Sequence, residues 1–215
     1  MKMKLFVYDH CPYCVKARMI FAFKNIDFEL ITLANDDEQT PIKMIGQKML
    51  PILEYEKNKF MPESLDIISF IDHLNPPANI EEYENSDLRE FLDEYKHIIY
   101  QLAMPRWAES DLEEFNTKSA REYFINKKSA YIGDFKENLE QSNELIAVIN
   151  HALLRLDKIV FSENFVNAKL SIDDFHLFAF LRSLSIVKGI KYPAKIDKYM
   201  QNMHKATNID LHKAV

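Results

Sequence analysis

Two cysteines, Cys11 and Cys14, are the only ones in the 215-residue chain, and they stand two residues apart in the stretch DHCPYCVKARMIF. A C-x-x-C pair can be a redox centre, half of a metal site, or two small buried hydrophobes. A zinc site needs about four ligands, and the sequence offers neither a second C-x-x-C nor a paired-histidine partner. Covalent haem attachment needs histidine directly after the second cysteine, and that position is Val15. The inert reading accounts poorly for placement. Cys11 falls where a helix begins after a first apolar run, with Pro12 at the first helical position.

At a helix start, backbone N–H groups and the positive end of the helix dipole point at the side chain and favour thiolate over thiol. Cys11 is therefore the candidate nucleophile. Side chains three apart on a helix have Cβ atoms about 5 to 6 Å apart, from which modest adjustment permits a disulfide. Cys14 is then the candidate resolving thiol, and an activated sulfur beside a more buried partner is what thiol–disulfide exchange requires. His10 could lend positive charge to the thiolate, although a histidine beside a turn is ordinarily a solvated side chain. Tyr13 either lines a pocket or lies on the surface as a helix-start aromatic.

The elements that must position this pair follow from periodicity. KLFVY (4 to 8) and DFELITL (27 to 33) read as strands, and between them Val15, Ala17, Met19, Ile20, Phe21 and Phe23 give a mostly apolar helix, hence a right-handed βαβ unit. TPIKMIG (40 to 46) predicts a short helix capped by Thr40, with Pro41 first and Gly46 as stop. PILEY and NKFM flank EKN as a hairpin, and ESLDIISFIDHL (63 to 74) is an amphipathic helix. The Pro-rich, acidic stretch 76–86 predicts a linker. Beyond it only helical patterns appear, at 88–102, 118–140, 142–160, 173–188 and 194–205. LSIDDF carries a capping box, Ser171 with Asp174, whose expected role is folding. The reading is an α/β domain at 1–75 followed by an all-α domain at 87–215.

Composition narrows the function classes. Three glycines are far below the usual ~7% and leave no phosphate-binding or dinucleotide loop. A net charge of −6 without basic runs argues against nucleic acid. No apolar run is long enough for a membrane span or a signal core. The chain is thus expected in the cytoplasm, where a lone C-x-x-C is more often catalytic or metal-binding than structural.

CPYC after a first strand, in the order βαβ, helix, ββα, resembles the glutaredoxin branch of the thioredoxin-like fold. Ordinary glutaredoxins are shorter and carry a Gly-Gly-Asp-like turn where this chain has MPESLDI. A Glu-Ser pair there, with a helical second domain, is similar to glutathione S-transferases. Together with QKMLPIL, MPRW at a helix end and the full length, the pattern resembles the bacterial glutaredoxin 2 family, a thioredoxin-like domain followed by a glutathione S-transferase-like helical domain. The resemblance implies a glutathione-dependent oxidoreductase with Cys11 as nucleophile and Cys14 as its partner. It implies a cis peptide before Pro51, which presents the backbone of Leu50 to the cysteinyl part of glutathione. Glu63 and Ser64, which on sequence alone are ordinary helix-start residues, would take the γ-glutamyl ammonium and carboxylate. The glycyl carboxylate would go to Lys48, Gln47 or His10, among which the sequence does not choose. Glutathione is the implied co-substrate, without metal or nucleotide, and the implied partners are glutathionylated or disulfide-bonded proteins. A monomer is expected. Two other functions fit parts of the pattern: conjugation of glutathione to electrophiles, and a non-catalytic interaction module whose Cys11 would keep an ordinary thiol pKa near about 8.5.

Overall fold

The computed structural model describes residues 2–74, 80, 81 and 84–215. They divide into two compact units, Met1–Asn79 with Ser110–Phe124, and Ile80–Glu109 with Ile125–Val215. Most of the expected linker, 76–79 with 82 and 83, lies outside the described residues; within it, Glu81 forms an isolated parallel bridge to Ser171.

The first unit opens with β1 (Met3–Val7), α1 (Pro12–Phe23), β2 (Phe28–Thr32) and α2 (Gln39–Ile45), then β3 (Ile52–Glu56), β4 (Lys59–Pro62) and α3 (Ser64–Leu74). The strands form one sheet in the order β2-β1-β3-β4, with β1 parallel to β2 and the other pairs antiparallel. The parallel pair follows from the α1 crossover, and the antiparallel β3–β4 pair from the hairpin that joins them. Leu5, Val7, Ile52 and Leu53 are fully buried, as are Ala17, Met19 and Ile20 of α1 and Ile67 and Ile71 of α3. A buried ion pair, Lys24 Nζ to Asp72 Oδ1 at 3.0 Å, joins the end of α1 to α3.

Local chemistry moves some element ends. Thr40 does not cap α2; the Asp37 carboxylate accepts the Thr40 N–H at 3.0 Å, and the helix starts at Gln39, two residues before the expected first position, placing Pro41 within its first turn. Gly46 does stop it, at φ +80°. Ser110–Phe124, which the expected 87–215 boundary places in the second domain, belongs to the first unit, where the buried Phe115 and Phe124 rings pack on His10. This segment contains a 3-10 turn, Glu113–Phe115, and the start of α5 (Lys118–Ile132).

The second unit is helical: α4 (Ser86–Glu109), the rest of α5, α6 (Phe135–Glu140), α7 (Ser142–Ile159), α8 (Ile172–Ser185) and α9 (Ala194–Thr207). α8 is its central element, with Phe175, Leu177, Phe178, Leu181 and Leu184 all fully buried. It packs on α4 and α9, while α7 presents Ile149, Ala152, Leu153 and Leu156 to α4 at helical spacing. The helical pattern over 118–140 resolves into two helices, since Gly133 takes φ +84° and Asp134 caps α6 by accepting the Lys136 and Glu137 N–H groups. α4 runs through Pro105 to Glu109, beyond the end predicted at MPRW. Proline removes one backbone donor there, the one that would reach the Gln101 carbonyl; separately, the Arg106 guanidinium donates to the Leu102 carbonyl at 2.7 Å. The Ser171–Asp174 box forms as predicted, with the Ser171 N–H donating to Asp174 Oδ2 at 2.9 Å. Among the described residues no helix is long and apolar enough to cross a membrane.

Candidate active site

Cys11 is the N-cap of α1, in extended conformation (φ −70°, ψ 118°), with Pro12 at the first helical position. The proline sits where a missing N–H does no harm and its fixed φ suits the helix, so the N–H groups of Tyr13 and Cys14 are left to the Cys11 sulfur. Both cysteines are free thiols; Cys11 is partly exposed and Cys14 fully buried. A hydrogen bond from Cys14 is the main reason that the Cys11 pKa falls to about 6. The charge of His10 and the Cys14 and Tyr13 N–H groups add to it, against the opposing effect of burial. Cys14 goes the other way. Burial pushes its thiol well up, as do the hydrogen bond and charge of Cys11, while the Tyr8 N–H, 3.5 Å from its sulfur, partly offsets this. One thiolate and one thiol, three residues apart, are thus held as unequal partners.

Strand register gathers the remaining predicted residues at the same end of the sheet. Phe6 pairs with Ile52, and Ile52 with Pro62. Pro51 therefore starts beside the end of β1, and Glu63 follows one step beyond the end of β4. Neighbouring strands are about 4.8 Å apart, so the Leu50–Pro51 and Glu63–Ser64 backbones lie within two strand spacings of the chain leading to Cys11. The Leu50–Pro51 peptide is cis. Glu63 is exposed and has φ +67°, a left-handed conformation that costs a non-glycine residue roughly 1 to 2 kcal/mol; strain of this kind gathers at ligand clamps. Ser64 is buried at the start of α3. Tyr13 is 45% exposed, with the Lys16 ammonium 4.8 Å from its ring centroid.

Of the three candidates for a glycyl carboxylate, Lys48 donates to the Asn35 carbonyl and lies 3.7 Å from the Tyr123 ring centroid. Gln47 is exposed near the Met49 sulfur. His10 is not the solvated side chain that its turn position suggests. It is 6% exposed, and its Nδ1 lies 2.7 Å from Oε1 of Glu114, a fully buried carboxylate. Glu114 escaped the sequence reading because nothing in DLEEF marks one glutamate as buried and its partner lies 104 residues away. The apolar Phe115 beside it was the only local hint.

Comparison with known proteins agrees with this geometry. Residues 87–215 match the family model "Glutaredoxin 2, C terminal domain", and residues 5–79 match "Glutathione S-transferase, N-terminal domain". Glutaredoxin 2 of Escherichia coli K12 is 44% identical over 209 residues, 97% of either chain, and that of the O157:H7 strain matches equally. A crystal structure of glutaredoxin 2 from Salmonella typhimurium in complex with glutathione is 48% identical, covers 97% of this chain and 96% of its own, and superposes with a TM-score of 0.94. A glutathione S-transferase of Ceriporiopsis subvermispora shares the fold at a TM-score of 0.73 with 14% identity, over the whole of both chains. An unequal cysteine pair at a helix start, a cis-proline at the neighbouring strand and relatives matched along nearly the full length converge on one assignment: the chain belongs to the glutaredoxin 2 family.

Proposed function

We propose that this chain catalyses glutathione-dependent thiol–disulfide exchange, with Cys11 as the attacking thiolate and Cys14 as the resolving thiol. The observation that carries the reading is the opposed pair of thiol acidities: Cys11 drawn down to about 6, Cys14 pushed up by burial. Cys11 is then mostly thiolate at neutral pH, near the acidity at which an attacking thiol combines charge with nucleophilicity. An interaction module has no need of such a depressed pKa. A conjugating transferase would activate the glutathione thiol itself and leave Cys14 without a role.

In deglutathionylation the Cys11 thiolate attacks the glutathionyl sulfur of a mixed disulfide. A Cys11–glutathione disulfide forms, and the substrate leaves as its thiolate, which takes a proton from solvent. A glutathione thiolate then attacks the sulfur of the bound glutathione, releasing oxidised glutathione and restoring the Cys11 thiolate. With a protein disulfide, Cys11 becomes bonded to one substrate sulfur and the other leaves as thiolate. Cys14 gives up its proton and attacks Cys11 Sγ, closing the Cys11–Cys14 disulfide and freeing the second substrate thiol. The order of these steps is built into Cys14. Part of what raises its pKa is the hydrogen bond and charge of the Cys11 thiolate, and both disappear once Cys11 is in a mixed disulfide. The resolving thiol therefore becomes easier to ionise at the moment it is needed.

Glutathione would lie along the end of the sheet beyond Cys11. Leu50, held by the cis bond to Pro51, would pair with the cysteinyl backbone, and Glu63 and Ser64 would take the γ-glutamyl group, with Tyr13 beside the sulfur. The family relative with bound glutathione and the left-handed backbone at Glu63 support this placement. Glutathionylated and disulfide-bonded proteins are the substrates in this reading, the reducing cytoplasm is its setting, and one chain suffices, the 1–75 domain carrying the chemistry and the 87–215 domain completing the fold. Exchange kinetics with a glutathionylated peptide and with a protein disulfide test it. Cys11→Ser should abolish both activities, whereas Cys14→Ser should lose protein-disulfide reduction and keep most deglutathionylation. Full activity in Cys11→Ser would refute the assignment.

A further inference from the structure

Glu114 and His10 form a buried pair that the exchange mechanism does not use as written. Oε1 of Glu114 accepts twice from one residue, from His10 Nδ1 at 2.7 Å and from the His10 backbone N–H at 2.9 Å. Its second oxygen, Oε2, is buried with no hydrogen-bond partner among the described residues. The Glu114 carbonyl accepts the Asn35 N–H at 2.9 Å, which ties the 3-10 turn to the loop after β2. Three rings hold the imidazole. Tyr8 and Phe115 stack on it, with centroids 5.7 and 5.1 Å away, and Phe124 meets it edge-on at 5.2 Å.

As a stabilising device this is a poor arrangement. Desolvating a carboxylate costs several kcal/mol, and an unsatisfied buried acceptor adds about 1 to 3 kcal/mol; apolar residues of similar volume would do as well. A group so placed calls for another reason. Position supplies one, since His10 directly precedes Cys11 and belongs to the turn that delivers it to the N-terminus of α1. We propose that Glu114 is a positioning residue for disulfide exchange: by holding His10 at both its ring and its backbone nitrogen, it fixes the turn before Cys11 and keeps a charge-compensated imidazole next to the reacting residue.

The proposal rests on the exchange reading of Cys11. His10 lies between two anions, and its charge is among the influences that favour the Cys11 thiolate. Glu114 accepts as a carboxylate: the His10 hydrogen bonds and charge hold its pKa down against burial. Nδ1 must then be the protonated nitrogen of the pair. Acting alone on the sulfurs, the carboxylate would oppose ionisation, as it does at Cys14. Acting through His10, it favours the thiolate, so the two routes carry opposite signs. The other titratable groups around this turn are Cys14 and Lys16 on α1, Tyr8 just after β1, the Asp9–Arg18 ion pair, Asp37, Lys48 and Tyr123.

The test is the rate of iodoacetamide alkylation at Cys11 against pH in the full chain, for wild type, Glu114→Gln, His10→Gln and the double variant, with thermal unfolding measured alongside. Glutamine keeps the shape and an acceptor oxygen but removes the charge. The midpoint should rise by about half to one pH unit in Glu114→Gln, a three- to tenfold loss of thiolate below it. His10→Gln should move the same way, and the double variant no further than His10→Gln alone. A Glu114→Gln profile that is unshifted or moves to lower pH overturns the proposal, as do additive effects in the double variant. Should Glu114→Gln not fold, an unshifted His10→Gln profile overturns it equally. A wild type without glutathione-dependent reductase activity would remove the functional reading while leaving these thiolate profiles measurable.

Discussion

Among the described residues each unit has one carboxylate residue with no exposed surface, Glu114 in the first and Asp174 in the second, and the two are handled in opposite ways. Asp174 at the start of α8 receives hydrogen bonds from the Ser171 N–H at 2.9 Å, the Val166 N–H at 2.8 Å and the Tyr199 hydroxyl at 3.1 Å. All its partners are neutral, so burial prevails and its pKa rises to about 6. Glu114 takes both its bonds from one histidine, and that partner's charge holds its pKa below the ordinary value despite complete burial. The first arrangement spreads a carboxylate over backbone donors that need capping, which is a folding role. The second concentrates it on a single ionisable ring beside a reactive thiol. Counting hydrogen bonds would rank Asp174 the better-made site, yet it is Glu114 whose partner, His10, directly precedes Cys11.

Asp174→Ala should have the greatest effect on stability and none on the thiol. It strands two backbone donors, each worth about 1 to 3 kcal/mol, while the Tyr199 hydroxyl keeps the Asp174 backbone carbonyl at 3.3 Å, so a loss of about 3 kcal/mol is expected. In thermal unfolding that is roughly 6 to 12 °C, with an unchanged Cys11 alkylation profile; a shifted profile would break the separation of roles.

The two carboxylates should also give opposite pH dependences. The folded pKa of Asp174, about 6, lies above the ordinary 3.8, so its contribution is full below the lower value and is lost as pH rises through the upper one. Full development would amount to about 3 kcal/mol. Denaturant titrations should show wild type losing ground to Asp174→Asn between about pH 4 and 6.5, and a constant difference would contradict the raised value. For Glu114 the folded pKa is lowered, so its contribution is present above the ordinary carboxylate range and is lost as pH falls through the folded value. Glu114→Gln should accordingly lose less stability on acidification than wild type does. The smallest effect belongs to Ser171→Ala, about 1 kcal/mol, since the Asp174 carboxylate keeps the Val166 and Tyr199 bonds; a loss as large as that of Asp174→Ala would mean the serine hydroxyl dominates the cap.

What could be read in the sequence was what short spacing encodes. Cys11, Pro12 and Cys14 sit within one helical turn, and the strand-helix-strand order around them follows from apolar periodicity. The Ser171–Asp174 box was legible for the same reason. Leu50–Pro51 and Glu63–Ser64 have no local signature separating a ligand contact from a strand opening or a helix cap, so family resemblance alone pointed to them. The left-handed backbone at Glu63 was invisible because glutamate rarely adopts it. Glu114 was missed altogether, its partner lying on another element. Helical periodicity also ran across Gly133 and stopped at Pro105, where the structure breaks at the glycine and continues through the proline. Periodicity reports which face is buried, whereas ends depend on single hydrogen bonds such as those that Asp134 accepts from Lys136 and Glu137.

The central claim is that Cys11 is an activated thiolate beside a Cys14 that stays protonated until Cys11 is in a mixed disulfide. Alkylation of each cysteine in reduced wild-type protein, followed by mass spectrometry as a function of pH, tests it directly. The account predicts a Cys11 midpoint near 6, with Cys14 unmodified across that range. A Cys11 midpoint near that of an ordinary thiol, about 8.5, or equal reactivity of the two cysteines, would contradict it.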